Sequence, residues 1–380
     1  MTKALSVLRI VVIDNLLWDL TVPIENMVEV AGSLRRLDYL AYSARERGLP
    51  ARRLSDNFVV HPSLSRSRLH FPQDAYRLGC EMHAQHPYDL IWTDDPMGAG
   101  LAGYLLKRKL GVPLLTKVHS DYYSNLAWRS ENPRYWLDYM LSLWILRRVD
   151  GVQAVSNALA EQLTRLGVPR DKITVLPTLM RRDTFPPGPD TLERYGAGKL
   201  LFAGRLVRQK RVDVLIRAMR LLVDRGYQPE LTLAGRGPLQ ERLKRLASRL
   251  GVRDRVTFAG HLPLPELAQL YQRSSIFVLP SGQEAFGKVL AEAALSGLPI
   301  VATRVSGIPE LVSDGENGWL VPPGNANALA DGIARLLDDP ALTQRMGRAS
   351  RQHVEGRWEF ESFKAAYLSM LSAVARSHDH

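Results

Sequence analysis

The sequence predicts an α/β protein with two domains, each built on a parallel sheet that helices cover. Short apolar runs typical of buried strands alternate with helical patterns along the chain, which is the signature of parallel strands joined by crossover helices. The length of 380 residues suits two domains of ordinary size. Three prolines and a glycine within residues 180–189 exclude a helix or a central strand, so we place the linker there.

The first half contains five apolar runs that predict strands and four longer patterns that predict helices. The strands are expected at residues 8–13, 58–61, 90–93, 114–118 and 151–155, and the helices at 24–47, 73–85, 98–110 and 133–147. Gly48 follows the first helical pattern, where a glycine suits a C-cap.

The second half repeats the alternation more regularly. Strands are expected at residues 200–202, 230–234, 256–259, 276–279, 300–302 and 319–321, and helices at 212–224, 239–250, 265–273, 287–296 and 326–337. A final helix at 359–375 has no strand of its own, so we expect it to pack back on the first domain. The predicted domains are therefore residues 1–178 and 179–358, followed by a returning helix at 359–380.

Charge and cysteine content narrow the function classes. The net charge of +11 is spread over both halves, which argues against a dedicated nucleic-acid surface and leaves phosphorylated small molecules or anionic lipid as partners. Cys80 is the single cysteine, which excludes an internal disulfide and zinc sites with several thiolates. With no convincing signal peptide and no run of about 18 apolar residues, we expect a cytoplasmic protein, with peripheral contact at the inner membrane surface as an open question.

Two segments of the first half bear on that question. Residues 135–146 are almost wholly apolar and precede two arginines; a buried crossover helix is the favoured interpretation, and a helix lying on a membrane is the alternative. Six arginines cluster near the first helical pattern, and they are either solvated or in contact with anionic lipid or an anionic acceptor: Arg35, Arg36, Arg45, Arg47, Arg52 and Arg53.

Residues 203–210 form a basic turn between a strand and a helix. Gly204 permits a tight turn, and Arg205 and Lys210 place two cations beside a helix N-terminus, where phosphate groups bind readily. A solvated basic loop is the alternative. Residues 231–238 form a second glycine turn, but it lacks the third glycine of a dinucleotide motif, so a plain crossover is favoured there.

Residues 280–299 carry the strongest signal. A strand ends in a glycine-containing loop, and a helix begins near Gly287 with free N–H groups. Glu284 precedes that helix and Glu292 lies within it, amid apolar neighbours where a carboxylate needs a partner. Two carboxylates on either side of such a helix end can accept hydrogen bonds from sugar hydroxyls.

These segments resemble the retaining nucleotide-sugar glycosyltransferases of family 4. The resemblance is nearly continuous from residue 199 to residue 339, and it is looser in the first half, where it rests on residues 116–119 and 150–156. It implies the GT-B architecture of two facing Rossmann-like domains, with a C-terminal helix that returns to the first, and it implies no required metal. Arg205 and Lys210 fit that expectation, because cationic side chains can stabilise the negative charge of a diphosphate as a divalent ion does.

The resemblance also implies roles for individual residues. Arg205 and Lys210 would neutralise the donor diphosphate, Glu292 would bind the ribose, and Glu284 with His119 would contact the transferred sugar. The implied donor-binding residues are Gly204, Arg205, Lys210, Glu284, Phe286, Gly287, Lys288, Val289 and Glu292, and the implied catalytic residues are His119, Glu284, Arg205 and Lys210.

The implied activity is a retaining transfer of a sugar, expected to be a hexose, from a UDP- or GDP-sugar to a glycan, lipid or small-molecule acceptor. A nucleotide-sugar epimerase of the same fold and a non-catalytic partner subunit are the alternatives. The loop at residues 14–21 departs from the family's glycine-rich pattern, which leaves the acceptor open, and Ala285 and Ser306 are small departures. Without the resemblance, His119 would be a packed or capping histidine, and Asp94 with Asp95 would end a strand rather than form a paired acid site.

Overall fold

The protein divides into two compact α/β units. The computed structural model describes residues 5–12, 25–121, 123, 132–178, 182–355 and 360–377. The first unit comprises Met1–Pro177 with Glu361–His380, and the second comprises Thr178–Phe360. The departing loop at residues 14–21 and residues 180–181 of the predicted linker lie outside the described residues.

The described part of the first unit contains an eight-stranded sheet in the order β3-β4-β2-β1-β5-β6-β7-β8. Neighbouring strands are parallel except β3, which runs antiparallel to β4 at the edge. The strands are β1 Ser6–Val11, β2 Arg36–Ala41, β3 Arg52–Ser55, β4 Phe58–Pro62, β5 Leu90–Thr93, β6 Leu114–Val118, β7 Gly151–Ala154 and β8 Ile173–Val175. The helices that cover them are α1 Glu25–Ala31, α2 Phe71–Gln85, α3 Gly98–Leu110, α4 Pro133–Leu146 and α5 Asn157–Arg165.

The predicted helix at residues 24–47 is wrong. The chain leaves α1 at Ala31 and forms β2, which pairs in parallel with β1 from Ser6 opposite Arg36 onward. Leu37, Tyr39 and Leu40 are fully or almost fully buried on both faces of the sheet. A short apolar run of this kind fits a helix and a central strand equally well by pattern, so tertiary pairing decides. β3, β8 and α5 were also absent from the prediction.

The last helix packs into the core of the first unit. This helix, α13 at Phe360–Arg376, buries Tyr367, Met370 and Leu371 among residues of the first sheet. The Tyr367 ring meets the edge of the buried Trp92 ring at a centroid distance of 5.0 Å. The predicted class of two α/β units on largely parallel sheets, with a last helix that returns to the first unit, is confirmed.

Helix α4 is only partly buried, although the sequence favoured a buried crossover helix. Its inner face is buried, since Ile145 and Leu146 have no exposed surface. Its outer face is open, with Leu137 71% exposed and Met140 59% exposed. The physical reason is that one layer of helices covers the sheet, and the described residues add no second layer over this one. None of the described helices is long and apolar enough to cross a membrane.

The described part of the second unit contains a six-stranded parallel sheet in the order β11-β10-β9-β12-β13-β14. The strands are β9 Lys199–Ala203, β10 Glu230–Ala234, β11 Val256–Gly260, β12 Ile276–Leu279, β13 Ile300–Thr303 and β14 Gly318–Val321. The helices are α6 Leu192–Gly196, α7 Val212–Asp224, α8 Gln240–Arg249, α9 Leu264–Arg273, α10 Lys288–Leu295, α11 Ala326–Asp338 and α12 Pro340–Glu355. α6 and α12 were missed by the prediction, and the other elements lie within one or two residues of it.

Candidate active site

The site of the second unit lies where its strand order reverses. β9 and β12 are neighbours at the centre of the sheet, but the chain proceeds from β9 toward β10 and from β12 toward β13, in opposite directions. The connections that leave their carboxyl ends therefore diverge and open a crevice, which is where ligands of open parallel sheets bind. The two predicted segments, residues 204–210 and 280–287, are these connections.

Two glycine turns give the first connection its shape. Gly204 has a φ of +149° and donates its N–H to the carbonyl of Ala234 over 2.9 Å. A Cβ on Gly235 would lie 2.0 Å from the carbonyl oxygen of Gly204, and one on Gly237 would lie 2.4 Å from that of Leu206. The turn at residues 235–237 thus packs against the turn that carries Arg205; Gly235 and Gly237 are required for this close approach, and Gly204 for its positive φ.

Lys210 and Glu284 form an ion pair across this crevice. Their side chains are only 14% and 15% exposed, and the ammonium contacts Oε2 of the carboxylate. Two hydrogen bonds hold the connections together beside the pair: Gln209 Nε2 donates to the carbonyl of Gln283 over 3.1 Å, and Gly282 N donates to that of Gln209 over 2.8 Å. The sequence predicted these two side chains separately, and the structure brings them together.

Arg205 differs from Lys210 in its surroundings. It is exposed, and within the described residues its guanidinium makes no ion pair or hydrogen bond. A cation at the crevice that the described part of the chain does not neutralise is suited to an incoming anion.

The second connection ends at the N-terminus of α10. Gly287 adopts a φ of +83°, and a Cβ there would lie 2.7 Å from Leu290. Phe286 is buried, Val289 is half-buried and Lys288 is exposed. The helix therefore starts directly after the turn, so its first N–H groups face the crevice.

A third connection, after β13, packs against the backbone of the segment that carries Glu284. Gly307 donates its N–H to the carbonyl of Glu284 over 3.0 Å, and a Cβ on Gly307 would lie 2.3 Å from the carbonyl oxygen of Ala285. Ser306 has a φ of +42°, a conformation in which glycine is more usual. Sequence reasoning noted Ser306 but did not recognise that its neighbour Gly307 contacts the Glu284 segment.

Glu292 has a buried partner that the sequence did not reveal. The hydroxyl of Tyr271, on α9, donates a hydrogen bond of 3.0 Å to Oε2 of Glu292. The other oxygen lies 3.6 Å from the ammonium of Lys288. Burial raises the pKa of Glu292, against the opposing effects of Lys288 and Tyr271. The expected partner of this carboxylate therefore exists, 21 residues earlier in the chain.

His119 lies in the first unit, directly after β6. Its Nδ1–H donates to the carbonyl of Asp94 over 3.0 Å, while part of its ring is exposed. Desolvation and the neighbouring Lys117 ammonium lower the pKa of His119. The ring is thus held by one nitrogen, as expected of a positioned histidine and of a capping one alike.

The paired-acid alternative at residues 94–95 is not what the structure shows. Asp94 is buried and accepts a hydrogen bond of 2.9 Å from Arg9 Nε. Although burial alone would raise it, the pKa of Asp94 is lowered by Arg9. Asp95 instead accepts from the N–H of Met97 over 2.7 Å, a turn contact, and burial raises the pKa of Asp95 to about 6. Sequence reasoning missed Arg9, whose guanidinium also stacks on Trp92 at 3.6 Å.

No cluster of three or more histidine, cysteine, aspartate or glutamate side chains that could hold a metal ion occurs among the residues that the structure describes.

Comparison with known proteins places both units in glycosyltransferase families. The family model for glycosyl transferases group 1 matches residues 190–353, and that for the glycosyl transferase 4-like domain matches residues 26–178. An alpha-D-kanosaminyltransferase from Streptomyces kanamyceticus is 30% identical over 71% of both chains. A GDP-mannose-dependent alpha-(1-6)-phosphatidylinositol monomannoside mannosyltransferase from Mycolicibacterium smegmatis is 29% identical over 76% of this chain and 77% of its own.

Solved structures share the fold over nearly the whole chain. A sucrose-phosphate synthase from Thermosynechococcus elongatus has a TM-score of 0.81 at 22% identity, covering 97% of this chain and 99% of its own. The Anabaena protein HepE in complex with UDP-glucose has a TM-score of 0.75 at 20% identity, covering 97% of this chain and 100% of its own.

Proposed function

Because this chain belongs to the group 1 glycosyl transferases and has the GT-B fold, we propose that it transfers a hexose from a nucleoside-diphosphate sugar to an acceptor with retention of configuration. The observation that carries the proposal is the Lys210–Glu284 ion pair at the reversal of strand order in the second unit. An ammonium and a carboxylate at that point match the two halves of a sugar diphosphate, one anionic and one rich in hydroxyls.

We propose that the donor rearranges this pair. A diphosphate offers Lys210 more negative charge than one carboxylate does, so the ammonium turns to the phosphate when the donor binds. Glu284 then becomes available to accept hydrogen bonds from the sugar hydroxyls. The two residues thereby exchange an internal partner for two parts of one ligand, which links donor binding to the positioning of the sugar.

The other second-unit residues complete the donor site. Arg205 adds a second cation for the diphosphate, and the N-terminal N–H groups of α10, after Gly287, add uncharged donors. Glu292, held by Tyr271, accepts from the ribose hydroxyls through the oxygen that Tyr271 does not occupy. We keep Gly204, Phe286, Lys288 and Val289 as backbone or packing contacts of the donor, and His119 as a contact of the transferred sugar.

The chemistry needs negative charge to be stabilised on the departing diphosphate while positive charge develops on the sugar. Once the donor is bound, Lys210, Arg205 and the helix end already face the diphosphate, so they stabilise the leaving group without further reorganisation during the reaction. Glu284, released toward the sugar, stabilises the oxocarbenium-like carbon. With these cations on the diphosphate, the proposed reaction requires no metal ion to neutralise it.

The relatives support a nucleotide-sugar donor but point to two bases. The mycobacterial relative is named for GDP-mannose, and the Anabaena structure holds UDP-glucose. We therefore propose a UDP- or GDP-hexose as donor and a glycan, lipid or small-molecule hydroxyl as acceptor. A single cysteine fits a reducing compartment, so we place the reaction in the cytoplasm.

The test combines a donor screen with three alanine variants. Hydrolysis of UDP- and GDP-hexoses without acceptor identifies the donor. Lys210→Ala and Arg205→Ala should then each lower turnover at least about tenfold, since one lost charge contact at the transition state costs roughly 1.4 kcal/mol or more. Arg208→Ala is the matched control, because Arg208 is an exposed arginine in the same turn, and its turnover should stay within about twofold of wild type.

Two results would contradict the proposal. If Lys210→Ala and Arg205→Ala behave like Arg208→Ala, these cations do not serve the diphosphate. If a nucleotide sugar binds but is not turned over with a broad set of acceptors, the non-catalytic partner subunit is the better description.

A further inference from the structure

Helix α4 exposes a continuous apolar stripe. Trp136, Leu137, Met140 and Trp144 are 48%, 71%, 59% and 39% exposed. Successive helical residues are turned by about 100°, so these four side chains fall within one sector of roughly 100°. They are therefore neighbours on one face of the helix, and the face is wide enough to form a contact surface.

The side of α4 away from the stripe is buried toward its C-terminal end. Ile145 and Leu146 have no exposed surface there, and neither does the polar Ser142. A helix on the surface of a globular protein normally turns its polar face to water, whereas α4 turns the apolar stripe outward. Large exposed apolar patches on soluble proteins mark sites of protein or membrane interaction.

Cations border the stripe at its C-terminal end. Arg147 and Arg148 follow the helix and are exposed, and the Arg148 guanidinium lies 4.3 Å from the centre of the Trp144 ring. On the adjacent helix α3, Arg108 and Lys109 are exposed as well. Leu105, also on α3 and 39% exposed, extends the apolar surface toward them.

Two acidic groups on or after α4 are paired with other cations. Asp138 lies 3.9 Å from the Arg134 guanidinium, an (i, i+4) pair on α4. Asp150 lies 2.6 Å from the Lys107 ammonium. Asp138 and Asp150 therefore do not neutralise Arg147, Arg148, Arg108 or Lys109 in the described part of the chain.

We propose that this stripe lies in the interfacial layer of an anionic lipid bilayer. The helix has 14 residues and is about 21 Å long, too short to span an apolar layer of roughly 30 Å. Tryptophan side chains at two levels of the helix suit the headgroup boundary, and a cationic border complements anionic headgroups. The combination of apolar stripe and basic border favours a bilayer over an uncharged protein surface.

The structure assigns membrane contact to α4 rather than to the arginine cluster at residues 35–53. Within that cluster, Arg35 pairs with Asp89 over 2.9 Å, and Arg36 pairs with Asp38. Leu64, 40% exposed, lies beside the cluster, where its N–H donates to Ser43 Oγ over 2.9 Å, but it is one side chain rather than a helical stripe. The two surfaces can therefore be separated by mutation.

The experiment is co-sedimentation of the full chain with vesicles of phosphatidylcholine, with or without phosphatidylglycerol. Leu137→Ser with Met140→Ser should lower the partition coefficient at least about tenfold, because two apolar side chains no longer enter the interface. The matched control is Leu192→Ser with Leu264→Ser, two leucines of the second unit that are 54% and 38% exposed; this variant should bind as wild type does. Binding of the wild type should also weaken with salt and with loss of phosphatidylglycerol.

Several outcomes would overturn the proposal. One is equal partition of the α4 variant and wild type at matched thermal midpoints, and another is an equal loss in the control variant. A third is a loss confined to a variant with Arg35, Arg36, Arg52 and Arg53 changed to Ser, which would return the contact to the arginine cluster. If wild type is a dimer without vesicles and the α4 variant a monomer, while vesicle binding is equal, the stripe is an interface between two copies.

Discussion

Removal of the Tyr271 hydroxyl tests how the buried Glu292 is held. Tyr271→Phe deletes one oxygen from a side chain with no exposed surface and leaves the ring in place. Oε2 of Glu292 then loses its 3.0 Å hydrogen bond, and the carboxylate is only 5% exposed, so water replaces the donor poorly. A hydrogen bond to a charged group contributes about 1.5–3 kcal/mol, and we expect a loss in this range.

Amide hydrogen exchange of the full chain measures this loss locally. Opening of α10 separates the hydroxyl from the carboxylate, so the amides of Lys288–Leu295 should exchange about 10-fold to 150-fold faster in the variant, at 1.4 kcal/mol per factor of ten. The pKa of Glu292, already raised by burial, should rise further, because the Tyr271 hydrogen bond favours the charged form.

Tyr227→Phe is the matched control. Tyr227 makes the same kind of bond, with its hydroxyl 2.8 Å from Oδ1 of Asp338, but on the surface of the second unit. Water can replace that donor, so we expect a change below about 0.5 kcal/mol. Equal effects of the two substitutions, or exchange of the α10 amides within twofold of wild type in Tyr271→Phe, would refute the reasoning.

Three further predictions concern the metal, one glycine and one half-buried acid. Turnover should survive EDTA, and a complete loss that manganese or magnesium restores would contradict the assigned role of the cations. Gly235→Ala should abolish donor binding measured by calorimetry, because its Cβ would lie 2.0 Å from the carbonyl oxygen of Gly204. Gly226→Ala is the control: Gly226 has a φ of +92°, and a Cβ there would meet nothing within 4 Å. This variant should lose only about 1 kcal/mol of stability to backbone strain and should retain donor binding. The pKa of Asp95 is about 6 in the folded chain against an ordinary value of 3.8, so the folded chain binds the extra proton and its free energy of unfolding falls as the pH rises from about 4 to 6. The stability of Asp95→Asn relative to wild type should therefore rise by up to about 3 kcal/mol between pH 4 and pH 7, measured by urea titration. A stability difference that is the same at both pH values would disprove this.

The second unit was largely predictable because its signals are local. The strands Glu230–Ala234 and Ile276–Leu279 and the helix Val212–Asp224 have the predicted bounds. Buried parallel strands are short continuous apolar runs, and helices that cover a sheet have apolar residues at the helical period. Glycine turns separate the two kinds of segment, so each boundary is marked in the sequence itself.

The sequence predicted the residues of the candidate site but not the contacts between them. Lys210 and Glu284 were identified on separate segments, and their pairing depends on β9 lying beside β12, which no local pattern encodes. Tyr271 belongs to an amphipathic helix and carries no mark that distinguishes it from other buried aromatic residues. Its contact with Glu292 arises only when two helices pack beside the same strand.

The sequence by itself determined the alternation of strands and helices, the glycine turns and the chemical character of the candidate site, because each depends on residues close together in the chain. Tertiary structure decided the rest. Residues 36–41 became a central strand because β1 and β4 pair with both their edges. Ile145 and Leu137 are both apolar residues of α4, and only the packing of the helix decides that Ile145 is buried and Leu137 is exposed. Local patterns set the period of an element, whereas the partner of each face depends on segments far away in the chain.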